Sequence, residues 1–428
     1  MIMENRINAL QNFLNASRSS FHAVAYLENL LKQEGYTKLA ETQAWELKAG
    51  GKYYVVRGGT AIMAFRIPEE APQGFLLSAS HSDRPCFKVK ENAELVGAYT
   101  RLAVERYGGQ LFFTWLDRPL SMAGRVLVET ENGIESRLVD IDRDLLLIPN
   151  VAIHMNRQVN DGYKWNPAVD MLPLLGGKDA KGKLHALLEE AAGGKILGHD
   201  LFLYIRENAR VWGIDNEYLS SAGLDDLECA WGCTQGFLKA EQSRSIPVLC
   251  VFDNEEVGSS SRQGACSTML SDILERICRS CGLDLKQMLS QSFMISADNG
   301  HALHPNHPEL SDPTNAPVLG EGIVLKFNAT LKYCTDGLSA ALFRKVCQKA
   351  GVKIQTYFNR ADIVGGSTLG NLSQQHVSIP TVDIGLPQLA MHSCYETCAV
   401  ADALALEDAM AAYYGSTLEV HGDNYLLK

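Results

Sequence analysis

Apolar residues along this chain come in blocks. Four short runs, GFLLSAS (74–80), IPVLCVF (246–252), SFMISA (292–297) and IPTVDIGLP (379–387), each stop abruptly at a polar cluster. Short apolar, β-rich runs that end at polar clusters predict strands. Between them, DGLSAALFRKVCQKAG (336–351), SDILERICRSCGLDLKQML (271–289) and ALALEDAMAAYYGSTL (403–418) place apolar residues every three to four positions, and the first 36 residues read as an amphipathic helix pair. Strands alternating with helices predict an α/β domain with a central mixed sheet flanked by helices.

The stretch from about residue 92 to 223 differs. Strand-like pieces such as LVGAYTRLAV (95–104), QLFFTWL (110–116), GRVLVET (124–130) and SRLVDI (136–141) are separated by Gly, Asp and Asn turns, the pattern of a β-rich unit. The expected organisation is an α/β domain formed by residues 1–91 and 224–428, interrupted by a β-rich insertion at 92–223.

Composition narrows the function. A formal net charge of -11 argues against general nucleic-acid binding, which needs a basic face for phosphates. No run approaches the roughly 18 uncharged apolar residues of a membrane span, and Glu4, Asn5, Arg6 and Asn8 interrupt any secretion-signal core. The 11 cysteines are scattered, so reduced thiols in the cytoplasm are expected. The one close pair, Cys278 and Cys281, falls inside a helical pattern and reads as structural. GGSTLG (365–370) lacks the spacing of a nucleotide fingerprint and reads as a turn, or as backbone approaching a substrate.

In an open α/β sheet, ligands bind beyond the carboxyl ends of the strands, so polar residues following the apolar runs are candidates for one site. They are His81 in HSD, Glu255 and Glu256 in DNEEVGS, Asp298 in SADNGHALHPN, and His392 in PQLAMHS. Asp225 in LDDL opens a predicted helix, where acids are also ordinary dipole partners. Asp83 is placed to hydrogen-bond the far side of the His81 imidazole, as carboxylates behind metal-bound histidines do. Pro305 and Pro308 prevent His301, His304 and His307 from lining up on a helix; His304 is expected beside Asp298, and the other two as structural or surface residues. A site with two metal ions about 3.5–4 Å apart needs a bridging carboxylate, terminal carboxylates and histidines, and a further carboxylate for a water proton. Cation charge in excess of the ligand carboxylates at such a site would acidify a bridging water.

In that order, HSD, LDDL, DNEEVGS, SADNGHALHPN and PQLAMHS resemble the aspartyl aminopeptidase family of dinuclear zinc metallopeptidases. The resemblance runs nearly end to end, from SSFHAVAYLENLLKQEGY through IPNVAIHMNRQVN and WNPAVDMLPLL to the last helix. It implies a phosphorylase/hydrolase-like zinc peptidase domain, with the insertion acting in dimerisation and the subunits forming a hollow homododecamer. By resemblance, two Zn2+ per subunit are held with Asp225 bridging, His81 and Asp298 on one ion, and Glu256 and His392 on the other. Glu255 is implied as general base, Asp83 as the group orienting His81, and His154 as a residue reaching a neighbouring subunit's active site. The implied substrate is a peptide with a free N-terminus, preferably Asp or Glu, read by Lys326, which stands in the apolar run IVLKF. Two departures bear on pocket shape: Gly365 stands where the family often has cysteine, and Asp226 where asparagine is expected. The alternatives are a neutral-specificity aminopeptidase, a deacylase on the same fold, and a catalytically silent assembly protein.

Overall fold

A computed structural model describes residues 2–428. Its largest sheet has nine strands, in the order Thr37–Lys38, Lys52–Arg57, Ala61–Arg66, Ile246–Phe252, Phe75–His81, Phe293–Ala297, Thr381–Gly385, Ile323–Phe327 and Ile354–Phe358. The four strands from Ile246–Phe252 to Thr381–Gly385 run parallel, so their carboxyl ends share one edge. They are the four apolar runs of the sequence.

Side chains on these strands alternate between two cores. Leu76, Leu249, Val251 and Ile295 face one, with the helices Leu224–Lys239 and Val400–Tyr414; Phe75, Leu77, Val248, Cys250 and Met294 face the other, with the helix Met269–Cys281. Both faces are therefore dry, each large apolar side chain contributing about 1.5–3 kcal/mol on burial. The helices Leu224–Lys239 and Val400–Tyr414 approach closely through Gly236, where a Cβ would come 2.3 Å from Met410 Cβ. The N-terminal helices Ile2–Ala16 and Ser20–Gln33 pack on the same core, and Phe13 stacks on Trp231 at 5.1 Å between ring centroids.

A second, antiparallel sheet of six strands is drawn from residues 86–205, with its own core around Phe87, Leu102, Val126, Leu201 and Leu203. The run LVGAYTRLAV is a hairpin: one strand ends at Val96 and the next begins at Tyr99. The strand Tyr218–Ser221, inside the stretch read as insertion, pairs with Glu396–Ala399 in a third sheet of five strands. That third sheet also contains Pro387–Leu389 and Gly300–His301, and so brings the segments around His392 and Asp298 together. No helix of the described residues is long and apolar enough to cross a membrane.

Candidate metal centre

His81 is the last residue of its strand and pairs in register with Phe252, which places it beside the turn that follows Phe252. In that turn Asn254 has φ 63 and Gly258 φ 95, and these left-handed positions fold the chain back so that Glu255 and Glu256 leave the strand direction. Asp83 holds the arrangement: its Oδ1 accepts from the Glu255 N–H at 3.1 Å, and its Oδ2 from the Glu256 N–H at 3.2 Å and the Tyr107 hydroxyl at 2.7 Å.

Asp225 enters from another direction. It lies in the first turn of Leu224–Lys239, where Asp225 and Asp226 have non-helical dihedrals. The two neighbouring carboxylates consequently serve different partners. Asp226 Oδ2 accepts from the His81 N–H at 3.1 Å, while Asp225 stands between two imidazoles, its Oδ1 3.4 Å from His81 Nε2 and its Oδ2 3.5 Å from His392 Nε2. His392 Nε2 is also 3.4 Å from Glu256 Oε2. Glu396 fixes both halves at once, accepting the His392 N–H at 2.7 Å and the Asp225 N–H at 3.1 Å.

Ligand atoms of His81, Asp225 and Asp298 lie within 4.8 Å of one another, as do those of Asp225, Glu256 and His392. Asp225 belongs to both groups, with one oxygen toward each histidine. The donor set suits a pair of cations on three grounds. His81 Nδ1 lies 3.1 Å from the Asp83 carbonyl oxygen and His392 Nδ1 3.2 Å from that of Gly109; donation there leaves each Nε2 lone pair facing the carboxylates. Asp225 Oδ1 and Glu256 Oε1 are buried and have no hydrogen-bond partner. Like charges also crowd the buried acids. Burial, with the charges of Asp298, Asp83 and Asp225 added, pushes Glu255 up to about 8, and burial pushes Asp298 up to about 6 against the pull of Lys326. Burial and Asp225 likewise hold Glu256 well above the usual carboxylate range. Asp225 alone is lowered: burial works against this, but the nearby His392 and His81 imidazoles together outweigh it.

These groups open on a cavity of about 270 Å³ whose far wall includes His301, Lys326, Tyr333, Tyr357 and Thr368. Lys326 is 2 % exposed; its ammonium donates to the Asn299 carbonyl at 2.8 Å and stands 3.9 Å from Asp298 Oδ1. Burial disfavours its charge, but Asp298, Tyr333 and Asp383 together more than offset this, so the lysine stays protonated. His304 does not line the cavity. Its Nδ1 accepts from the Asn306 N–H and its ring packs on His307, whereas His301, at the end of a strand in the third sheet, faces the cavity. This reverses the expected roles of the two histidines, because only the sheet pairing of Gly300–His301 determines which one turns inward. His154 is exposed on the segment after Asn150, outside the cavity of its own chain.

Both departures fit locally. A Cβ at Gly365 would come 2.3 Å from Asn359 Oδ1, and Asp226 makes through Oδ2 the acceptor contact that an asparagine oxygen could also make. Glu396 and Tyr107 carried no distinguishing signal in the sequence, since each is tied into the site by a partner far along the chain, Asp225 for Glu396 and Asn254 for Tyr107.

The geometry agrees with what the chain resembles. The family model for the aminopeptidase I zinc metalloproteases (M18) matches residues 13–414. A probable M18 family aminopeptidase 2 of Clostridium novyi is 42% identical over 419 residues, covering 94% of this chain and 97% of that protein. One of Pseudomonas aeruginosa is 37% identical over 420 residues, covering 95% and 97%. Among solved structures, the Ape4 and Nbr1 complex matches with TM-score 0.93 at 33% identity, over 97% of this chain and 86% of that one. The S. cerevisiae mApe1 dodecamer matches with TM-score 0.84 at 25% identity, over 95% of both chains. The chain belongs to the M18 family of zinc aminopeptidases, hydrolases that use metal to release residues from peptide N-termini.

Proposed function

We propose that this aminopeptidase holds two zinc ions, one through His81, Asp298 and Asp225 and the other through Glu256, His392 and Asp225, and that it prefers peptides beginning with Asp or Glu. The sharing of Asp225 between the two ligand groups favours the two-ion count. Bound zinc supplies a Lewis acid for the scissile carbonyl and lowers the pKa of the attacking water. Glu255 accepts that water's proton on a carboxylate oxygen and passes it to the departing amine. Asp83, through the two backbone N–H groups it holds, keeps Glu255 turned to the cavity and Glu256 to His392.

The observation that carries the acidic preference is Lys326, a buried charge in the cavity wall whose ion-pair partner among the described residues is Asp298, one of the proposed metal-holding acids. An Asp298 committed to zinc leaves the ammonium available to a substrate carboxylate. Losing a partly desolvated charge partner costs about 2–5 kcal/mol. Lys326→Met should therefore lower kcat/KM by that amount on Asp- and Glu-peptides and barely affect Leu-peptides. Equal losses on all three would instead favour the neutral-specificity reading, and turnover of N-acyl substrates the deacylase reading.

Self-association into a homododecamer with shared active sites is the accompanying reading. Its supports are the likeness to the S. cerevisiae mApe1 dodecamer and the exposure of Val151, Ile153 and Met155 around His154. The unpaired cysteines favour a reducing cytoplasm, which cell fractionation would test.

A further inference from the structure

Asp383 lies at the centre of the strand Thr381–Gly385 and is fully buried. A buried carboxylate is costly unless donors satisfy it. Here they come from two segments far apart in the chain. The Cys334 N–H and thiol reach its Oδ2 at 2.6 and 2.8 Å, and the Thr368 hydroxyl reaches its Oδ1 at 2.7 Å. Its own N–H donates to Thr335 Oγ1 at 2.9 Å.

Both segments wall the cavity, one through Tyr333 and the other through Gly366, Ser367 and Thr368. A second tie joins them directly, from Lys332 Nζ to the Gly365 carbonyl at 2.6 Å. The close approach needs glycine at 370, where a Cβ would be 2.6 Å from Cys334 Sγ and 2.9 Å from Asp383 Oδ1. The side-chain oxygens of Asp383 bond only to Cys334 and Thr368 among the described residues, neither of which belongs to the metal centre.

We propose that Asp383 is a positioning residue for substrate fit: its carboxylate fastens segments 333–335 and 366–368 into one ordered wall against which the substrate's N-terminal residue packs. This rests on the cavity being the substrate pocket, but not on Lys326 reading an acidic side chain. Without the tie, the wall must be ordered each time substrate binds, and that entropy weakens binding. The effect belongs in KM, because the metal-holding residues and Glu255 keep their own supports.

The test uses the zinc-loaded full chain. Thr368→Val removes one tie at nearly constant volume, Thr368→Ser restores it, and Asp383→Asn keeps an acceptor for the Cys334 N–H while its amide donates to Thr368 Oγ1. Kinetics on Asp-, Glu- and Leu-peptides, zinc content and hydrogen exchange of residues 363–370 are read together. Thr368→Val should raise KM about tenfold on all three peptides, with kcat within about twofold. Zinc content should hold, exchange at 363–370 should quicken, Thr368→Ser should recover KM, and Asp383→Asn should fall between. An unchanged KM in Thr368→Val, or a kcat loss accompanied by lost zinc, overturns the proposal. If Lys326→Met spoils acidic peptides while Thr368→Val changes nothing, the pocket reading stands and the clamp falls. If neither moves any KM, both fall.

Discussion

The metal centre and the segment around His154 face water in opposite ways. His81, Asp225 and Asp298 are 1, 3 and 7 % exposed, each at the end of a strand or the start of a helix rooted in the main core, with the first two held at their backbone N–H by neighbouring acids and the third by the Ile384 carbonyl. Around His154, in contrast, Val151, Ile153 and Met155 are 47, 48 and 83 % exposed, and the chain is held by short backbone turns such as Met155 N–H to the Ala152 carbonyl. Buried polar ligands keep their geometry because the sheet over-determines it. Clustered exposed apolar side chains are what a protein leaves for another surface to cover. The candidate metal ligands thus all come from one chain, whereas the His154 segment gains its function, on the proposed reading, from a second copy.

Four changes probe that contrast, beginning with the most severe. Asp225→Asn should empty both metal positions and abolish turnover, since one residue serves two ligand groups; metal analysis showing normal occupancy would remove Asp225 from the centre. Glu255→Gln should keep both metals and lose about 10²–10⁴-fold in kcat, because an amide cannot take the water proton. Loss of zinc in that variant, or full activity, would show its role to be misassigned. In the core, Ile295→Ala should destabilise folding by about 2–5 kcal/mol, as the position is fully buried on the strand leading to Asp298. Met155→Ser should shift folding stability by no more than about 0.5 kcal/mol, yet reduce assembly measured by light scattering; an unchanged mass would dissociate this segment from self-association. Site sharing has its own check, in which mixed oligomers of His154→Ala and Glu255→Gln chains regain activity that neither parent shows.

The sequence by itself determined where strands end and what stands there. Dry apolar runs stop only where the sheet stops, so His81, Glu255, Glu256 and Asp298 could be read as neighbours at one edge, and the 3.6-residue periods located the flanking helices. The proposed double role of Asp225 was not visible in local pattern, since acids in a helix's first turn are ordinary; it rests on motif order. Tertiary structure alone decided which groups hold the ligands and which face the cavity. Glu396 spans the His392 and Asp225 backbones, Asp83 joins His81 to the turn after Phe252, and Asp383 gathers Thr368 and Cys334, 15 and 49 residues away along the chain. His301 rather than His304 turns inward because Gly300–His301 pairs with Pro387–Leu389. Each of these outcomes depends on strand register, in which a shift of one residue reverses every side chain, and register follows from packing of the whole core rather than from any local run.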